Sequence, residues 1–333
     1  MKKLYDEVSK LLGAVDFEGI WAGFSPFDFA LFDKQSIYMT DKTLQWDERF
    51  LGNTAIEFEG KFLAIWEITS QNDGEVDVER LVSGIVHEMF HALQKQQGDR
   101  RWVDELAFLN YPYYDIDNAN LKIAEMHYLM RAFSDGTHED LVQFVALRNA
   151  RRRIIGNDIF TQEMMAETIE GMAEYAGLMT LNQLNRAKFV EDVSRRMDVL
   201  RSPDMLLKPR LWAYSSGALL CLALKTLGIN FHHHLSDIRP LFDFVPKNKT
   251  AVETAIREYK LKLRKIFDDF LKKHTSETKI NATLTGYDPM NMQRLDDNIL
   301  CTRFVMLDGI YIEGPVMLHM EKGSKNQVVS YTK

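Results

Sequence analysis

Apolar positions along this chain repeat at two different periods, and the change of period divides it into parts. Residues 1–13, MKKLYDEVSKLLG, carry apolar side chains at helical spacing and predict a short amphipathic helix. From 20 to 68 the texture turns aromatic and β-branched in the pieces DFALFD, SIYMT, NTAIEFEG and KFLAIWEI. These predict a small, mostly antiparallel sheet, with Glu59-Gly60 as the turn of a hairpin. The polar stretch 70–77 predicts a loop that ends in a helix N-cap, Asp77. Helical periodicity then runs to about 273. It predicts helices at 79–97, 119–134, 138–155, 161–187, 211–227 and 249–274, punctuated by Gly98, Pro112, Gly136, Gly156, Pro203, Pro209, Gly228 and Pro240. After Thr275 the pattern is strand-like again, in NATLTG, LCTRFVML, IYIEG, VMLHMEK and QVVSYT. The fold class expected is α+β: an N-terminal antiparallel sheet (about 20–68) and a mainly helical lobe (about 79–274) within one domain, 1–277, followed by a C-terminal β module, 278–333.

The helix predicted at 79–97 reads ERLVSGIVHEMFHALQKQQG from Glu79, and Leu81, Ile85, Val86, Met89, Phe90 and Leu93 form its apolar stripe. Positions four apart differ by only about 40° around a helix, so His87 and His91 project from one side on consecutive turns. Two imidazoles so placed can grip one metal ion, and Glu88 beside them can hold a water at the metal and take its proton. Zinc suits two neutral imidazoles, one carboxylate and an open fourth position, because it lowers the pKa of bound water towards neutrality. The alternative is a chance match on a buried helix with satisfied histidines, expected on the order of once in a hundred such chains.

The segment TQEMMAETIEGMAEYAGLMTLNQL carries Glu163, Glu167, Glu170 and Glu174 at spacings that place all four on one helical face. Like charges at these separations repel, and the other faces are rich in Met, Ala, Ile and Leu, which predicts burial. Buried carboxylates need cations or donors beside them, which a metal ion, its histidines and the arginines of 148–153 could supply.

A helix bearing HEMFHAL followed by one bearing EGMAEY resembles the gluzincin group of zinc peptidases, the clan that includes thermolysin and the zinc aminopeptidases. The resemblance covers about residues 50–228 and implies a zincin-like fold, one zinc per chain and hydrolysis of peptide or related amide bonds. It makes Glu170 the third zinc ligand, with Glu167 and Glu174 as rivals. It also makes Glu174 a brace for a ligand histidine and leaves Glu163 to an arginine. Glu88 is then the general base. The helix after Pro209, RLWAYSSGALLCLALKTLG, resembles the aminopeptidase helix whose tyrosine stabilises the oxyanion, a role that maps onto Tyr214. The interval of 79 positions from His91 to Glu170 (170 − 91) exceeds that of compact members, which makes the helices of 119–155 an insertion. The aminopeptidases also carry a Gly-x-Met-Glu-Asn segment that captures a free amino terminus. Here the equivalent region reads GNTAIEFEGKFLAIWEI, so exopeptidase action of that kind is not expected, and an edge strand from it is expected to pair with an extended peptide.

Composition narrows the remaining classes. The 333 residues, 46% of them hydrophobic, suffice for one large domain and a smaller one, and exclude wholesale disorder. A formal charge of −7 argues against nucleic acid or an anionic membrane as partner. Arg151-Arg152-Arg153 is read as ion-pairing or solvated rather than as an anion site. Cys221 and Cys301 give no disulfide framework. Asp6 and Glu7 interrupt what would be a signal-peptide core, and no stretch approaches a membrane span, so a cytoplasmic setting is expected. His232-His233-His234 is read as a polar turn, Glu125 and His127 as a salt bridge or polar helix face, Trp102, Asp104 and Glu105 as a rim to the active-site helix, and helix 249–274 as a solvated cover or a dimer contact. The expected partner is a peptide or protein substrate. Two other classes stay open: a zinc-stabilised protein that binds without catalysing, and a metal-free helical interaction protein.

Overall fold

The computed structural model describes residues 1–68, 76–229, 231 and 249–333. The triple histidine, most of the loop before Asp77 and Pro240 lie outside them. The chain begins with α1 (Lys2–Leu12), which buries Tyr5, Val8 and Leu12, and a single turn, α2 (Phe17–Ile20), capped by Asp16. Strands β1 (Asp28–Phe32), β2 (Ser36–Tyr38), β3 (Thr43–Gln45), β4 (Thr54–Phe58) and β5 (Lys61–Glu67) form a sheet of order β3-β2-β1-β5-β4. The hairpin forms as expected, with Glu59 and Gly60 both at positive φ in a two-residue turn.

The N-terminal sheet is mostly antiparallel, as expected, in its β1–β2, β2–β3 and β4–β5 pairs, with one departure: β1 and β5 pair in parallel. The reason is which strand takes the centre. In β5 the run Leu63, Ala64, Ile65 is buried without alternation, whereas in β4 only Ala55 and Phe58 are buried. Continuous apolar strands belong where both faces are covered. Seating β5 beside the equally buried β1 puts β4 outside it and fixes the direction of β5.

The helical lobe comprises α3 (Val78–Gln96), α4 (Ile116–Asp135), α5 (His138–Ile155), α6 (Asn157–Leu184), α7 (Arg186–Arg201), α8 (Pro209–Thr226) and α9 (Lys249–Lys273). Asp77 caps α3 by accepting from Arg80 N. The single helix expected at 161–187 covers most of α6 and runs past its end into the first two residues of α7. Asn185 leaves the helix with an extended backbone and caps α7 by accepting from Lys188 N. The long α6 lies at the centre, packed on α3 at one side and α8 at the other. At the α6–α8 crossing Gly171 and Gly217 face each other, and a Cβ on Gly217 would stand 2.2 Å from the Glu167 carbonyl and 2.6 Å from Gly171 Cα.

Strands β6 (Glu277–Tyr287), β7 (Met292–Leu295), β8 (Asn298–Cys301), β9 (Phe304–Leu307), β10 (Ile310–Glu313), β11 (Val316–Met320) and β12 (Gln327–Thr332) form an antiparallel sheet of order β10-β9-β6-β12-β11-β8-β7. Leu284, Ile299, Val305, Leu318 and Val328 are the centre of its core. Tyr287 Oη donates to the Glu105 carbonyl (2.6 Å), Arg294 to the Leu109 carbonyl (2.5 Å), and Arg303 pairs with Glu67 of β5. Cys221 and Cys301 are buried free thiols. No helix among the described residues is long and apolar enough to cross a membrane.

Candidate metal centre

The apolar stripe of α3 (Leu81, Val82, Ile85, Val86, Met89, Phe90) faces the core against α1, α6 and the first sheet. That orientation turns His87, Glu88 and His91 towards a cleft of about 730 Å³ bounded by α3, α6, α8, the β4 end of the first sheet and the C-terminal sheet. Glu170, near the middle of α6, reaches the same point from the other side. One ligand atom from each of His87, His91 and Glu170 lies within 4.8 Å of the others, and all three residues are buried.

Both imidazoles direct Nε2 at a single oxygen: Glu170 Oε2 is 3.2 Å from His91 Nε2 and 3.5 Å from His87 Nε2. In a tetrahedral site with bonds of about 2.0–2.1 Å, neighbouring ligand atoms are about 3.3 Å apart, so this donor set fits one small divalent cation. The other oxygen of Glu170 is held apart from the centre, accepting from Arg210 at 2.5 Å. Arg210 also donates to Glu105 at 2.8 Å. Burial alone would raise the Glu170 carboxyl, but Arg210, then His91 and His87, outweigh it and keep the group well below the usual carboxylate range. An ionised ligand carboxylate is therefore built in.

The second nitrogens of the two rings are treated differently. His91 Nδ1 lies 2.7 Å from Gln94 Oε1, and Gln94 is itself fixed by donating to the Ile169 carbonyl on α6. This leaves Nε2 of His91 directed at the Glu170 carboxylate, where it could serve as a metal ligand. His87 Nδ1 has Glu174 at 3.9 Å, an ion-pair distance rather than a hydrogen bond, and Glu174 is engaged by Arg196 at 2.6 Å.

Glu88 is buried at the cleft floor, and burial, countered by His91, pushes its carboxyl up to about 8. A divalent cation held by His87, His91 and Glu170 would favour its ionised form. Tyr214 stacks on His87 with ring centroids 5.7 Å apart and planes 2° apart. Burial and then Glu170 hold its hydroxyl well above the ordinary phenol range, so it remains a donor. Trp102 lies at the rim, 5.9 Å from the His91 ring.

Each carboxylate of the α6 row has its own cation. Glu163 pairs with Lys122 and Arg151, Glu167 with Arg148, Glu170 with Arg210, and Glu174 with Arg196. Glu167 also accepts from Ser216 Oγ and stands away from the centre. Glu125, fully buried, bridges Arg148 and Arg151, and His127 is exposed on the far side of α4. Sequence reasoning passed over Gln94 and Arg210. Their signal was helical spacing alone, three positions after His91 and four before Tyr214.

These positions form a buried group of two histidines and one carboxylate, on paired helices at the floor of an open cleft, that could hold a metal ion. No protein-family model, curated protein or solved structure matches the chain.

Proposed function

We propose that this protein is a zinc-dependent hydrolase of peptide or related amide bonds, with His87, His91 and Glu170 as the ligands of one zinc ion. When bound, zinc supplies a Lewis acid that polarises the scissile carbonyl and acidifies water at the open position. Glu88 takes the proton of the attacking water and passes it to the leaving nitrogen. The Tyr214 hydroxyl, over His87, donates to the oxyanion that develops on the carbonyl oxygen. Gln94 holds the His91 ring, Arg210 keeps Glu170 ionised, and the Glu174–Arg196 pair sits behind His87. The observation that carries this reading is the convergence of both Nε2 atoms on one Glu170 oxygen at 3.2 and 3.5 Å, with a buried glutamate beside them.

The test is metal content by plasma mass spectrometry on tag-free protein, together with cleavage of quenched-fluorescent peptides. The parent should hold about one zinc per chain. His91→Ala should lose the zinc, and Glu88→Gln should keep it while turnover falls by roughly 10²–10⁴-fold. A parent that takes up no zinc on reconstitution defeats the reading. Retained zinc without hydrolysis, and a cellular function indifferent to Glu88→Gln, leaves the zinc-stabilised binding protein instead.

A further inference from the structure

One turn of α3 beyond His91, Lys95 lines the same cleft and is half-buried. No carboxylate stands within ion-pair distance of its ammonium among the described residues, an uncommon state for a cation so placed. Its partners are the backbone carbonyl of Ala55, to which Nζ donates, and the face of Trp102, with Nζ 5.6 Å from the ring centroid.

The Ala55 carbonyl has a particular position. In the β4–β5 hairpin the two-residue turn makes Phe58 and Lys61 the first bonded pair. By alternation Phe58, Ile56 and Thr54 turn their backbone groups to β5, and Glu57 and Ala55 turn theirs outward. β4 is the edge of its sheet, and its Thr54 end borders the cleft. The outward groups of Ala55 are therefore where an extended main chain would pair beside the cleft. At Ala55 that position is occupied by Lys95.

We propose that Lys95 is a specificity residue of this cleft: it covers the Ala55 carbonyl until a substrate carboxylate draws the ammonium off and frees the β4 edge for the substrate main chain. The ligand class is a peptide bearing a carboxylate near the scissile bond, so the inference rests on the peptide-cleaving reading above. Lys95 lies about 6 Å along α3 from His91, at about 1.5 Å per residue. An extended chain advances about 3.3 Å per residue, which sets the carboxylate one or two residues from the bond at the metal. An ammonium moved from a neutral carbonyl to a carboxylate gains a charge-assisted hydrogen bond, and Trp102 keeps its stem in place. A neutral peptide must instead displace the ammonium with nothing to receive it.

The experiment measures binding and cleavage separately. Zinc-reconstituted Glu88→Gln protein is titrated with fluorescent peptide pairs that differ by Glu against Gln at each position, or by a free against an amidated terminus. Anisotropy then reports affinity, with and without Lys95→Met. One acidic member should bind about tenfold more tightly than its isostere, and the two arms show whether a side chain or the terminus supplies the carboxylate. Lys95→Met should abolish that difference and tighten the neutral peptides severalfold, and Lys95→Arg should keep the preference. Equal affinity of acid and isostere, no binding by either, or a preference that survives Lys95→Met overturns the proposal. Acid-dependent binding without cleavage by the Glu88 protein removes the hydrolase reading and leaves Lys95 as a binding residue. Cleavage with no acid preference does the reverse.

Discussion

Beside the centre, six charged side chains are buried together. Lys122, Arg148 and Arg151 are matched by Glu125, Glu163 and Glu167, and Tyr111, Asn118 and Ser216 take up remaining hydrogen-bonding capacity. Such a cluster is weak evidence for net stability, because desolvation offsets most of the attraction, but deleting one member strands its partners. Arg151→Met leaves Glu125 and Glu163 each short of a cation, and should cost about 3–5 kcal/mol in urea unfolding at pH 7. Burial acts to raise the Glu163 carboxyl, but Arg151 and Lys122 outweigh it and bring it down to about 2. Its folded value lies below the unfolded value of about 4.3, so its contribution is complete above that pH and is lost as pH falls towards 2. The parent's urea midpoint should accordingly fall between pH 5 and pH 3. In Glu163→Gln that part of the fall should be missing, and the pH 7 midpoint should already be lower.

At the scale of elements, Gly171 and Gly217 allow α6 and α8 to touch, which brings Arg210 and Tyr214 of α8 to Glu170 and His87 of α6 and α3. Gly217→Ala should push the helices apart and destabilise the protein by about 1–3 kcal/mol. It should also weaken zinc binding, measured by competition with a chromogenic chelator. Unchanged zinc affinity would show that the crossing does not set the centre. Elements also mark what could be read from the sequence. The α3 stripe, its Asp77 cap and the four-residue step from His87 to His91 are local, so the helix and its histidine pair were legible. Glu170 was reached only through resemblance, since nothing in the chain states which of four glutamates faces α3. The α6–α7 break was hidden because Asn185 stands in a run with neither Gly nor Pro. The parallel β1–β5 pairing was hidden because alternation reports which faces are buried and not which strand lies alongside. Gln94, Arg210 and Lys95 acquire their meaning from groups elsewhere in the fold.

At the scale of the molecule, the cleft is closed by a sheet that the sequence left as an appendage. Asp288, Met290 and Arg303, in the connections of the C-terminal sheet, and Phe304 at the start of β9 line it, and Arg303 ties that wall to Glu67 while standing 3.9 Å from Asp288. Arg303→Ala should loosen the wall: hydrogen-exchange protection across 288–304 falls, while the zinc content stays that of the parent. The position of β12 carries this further. It is the strand nearest the carboxyl end, yet it lies between β6 and β11, and every bond joining the two halves of that sheet runs through it. On a ribosome, α3 and α6 can bring the two histidines to Glu170 long before residues 327–332 emerge. The wall opposite them stays unfinished until those residues arrive, so a nascent chain carries its candidate metal-binding group before its cleft is complete.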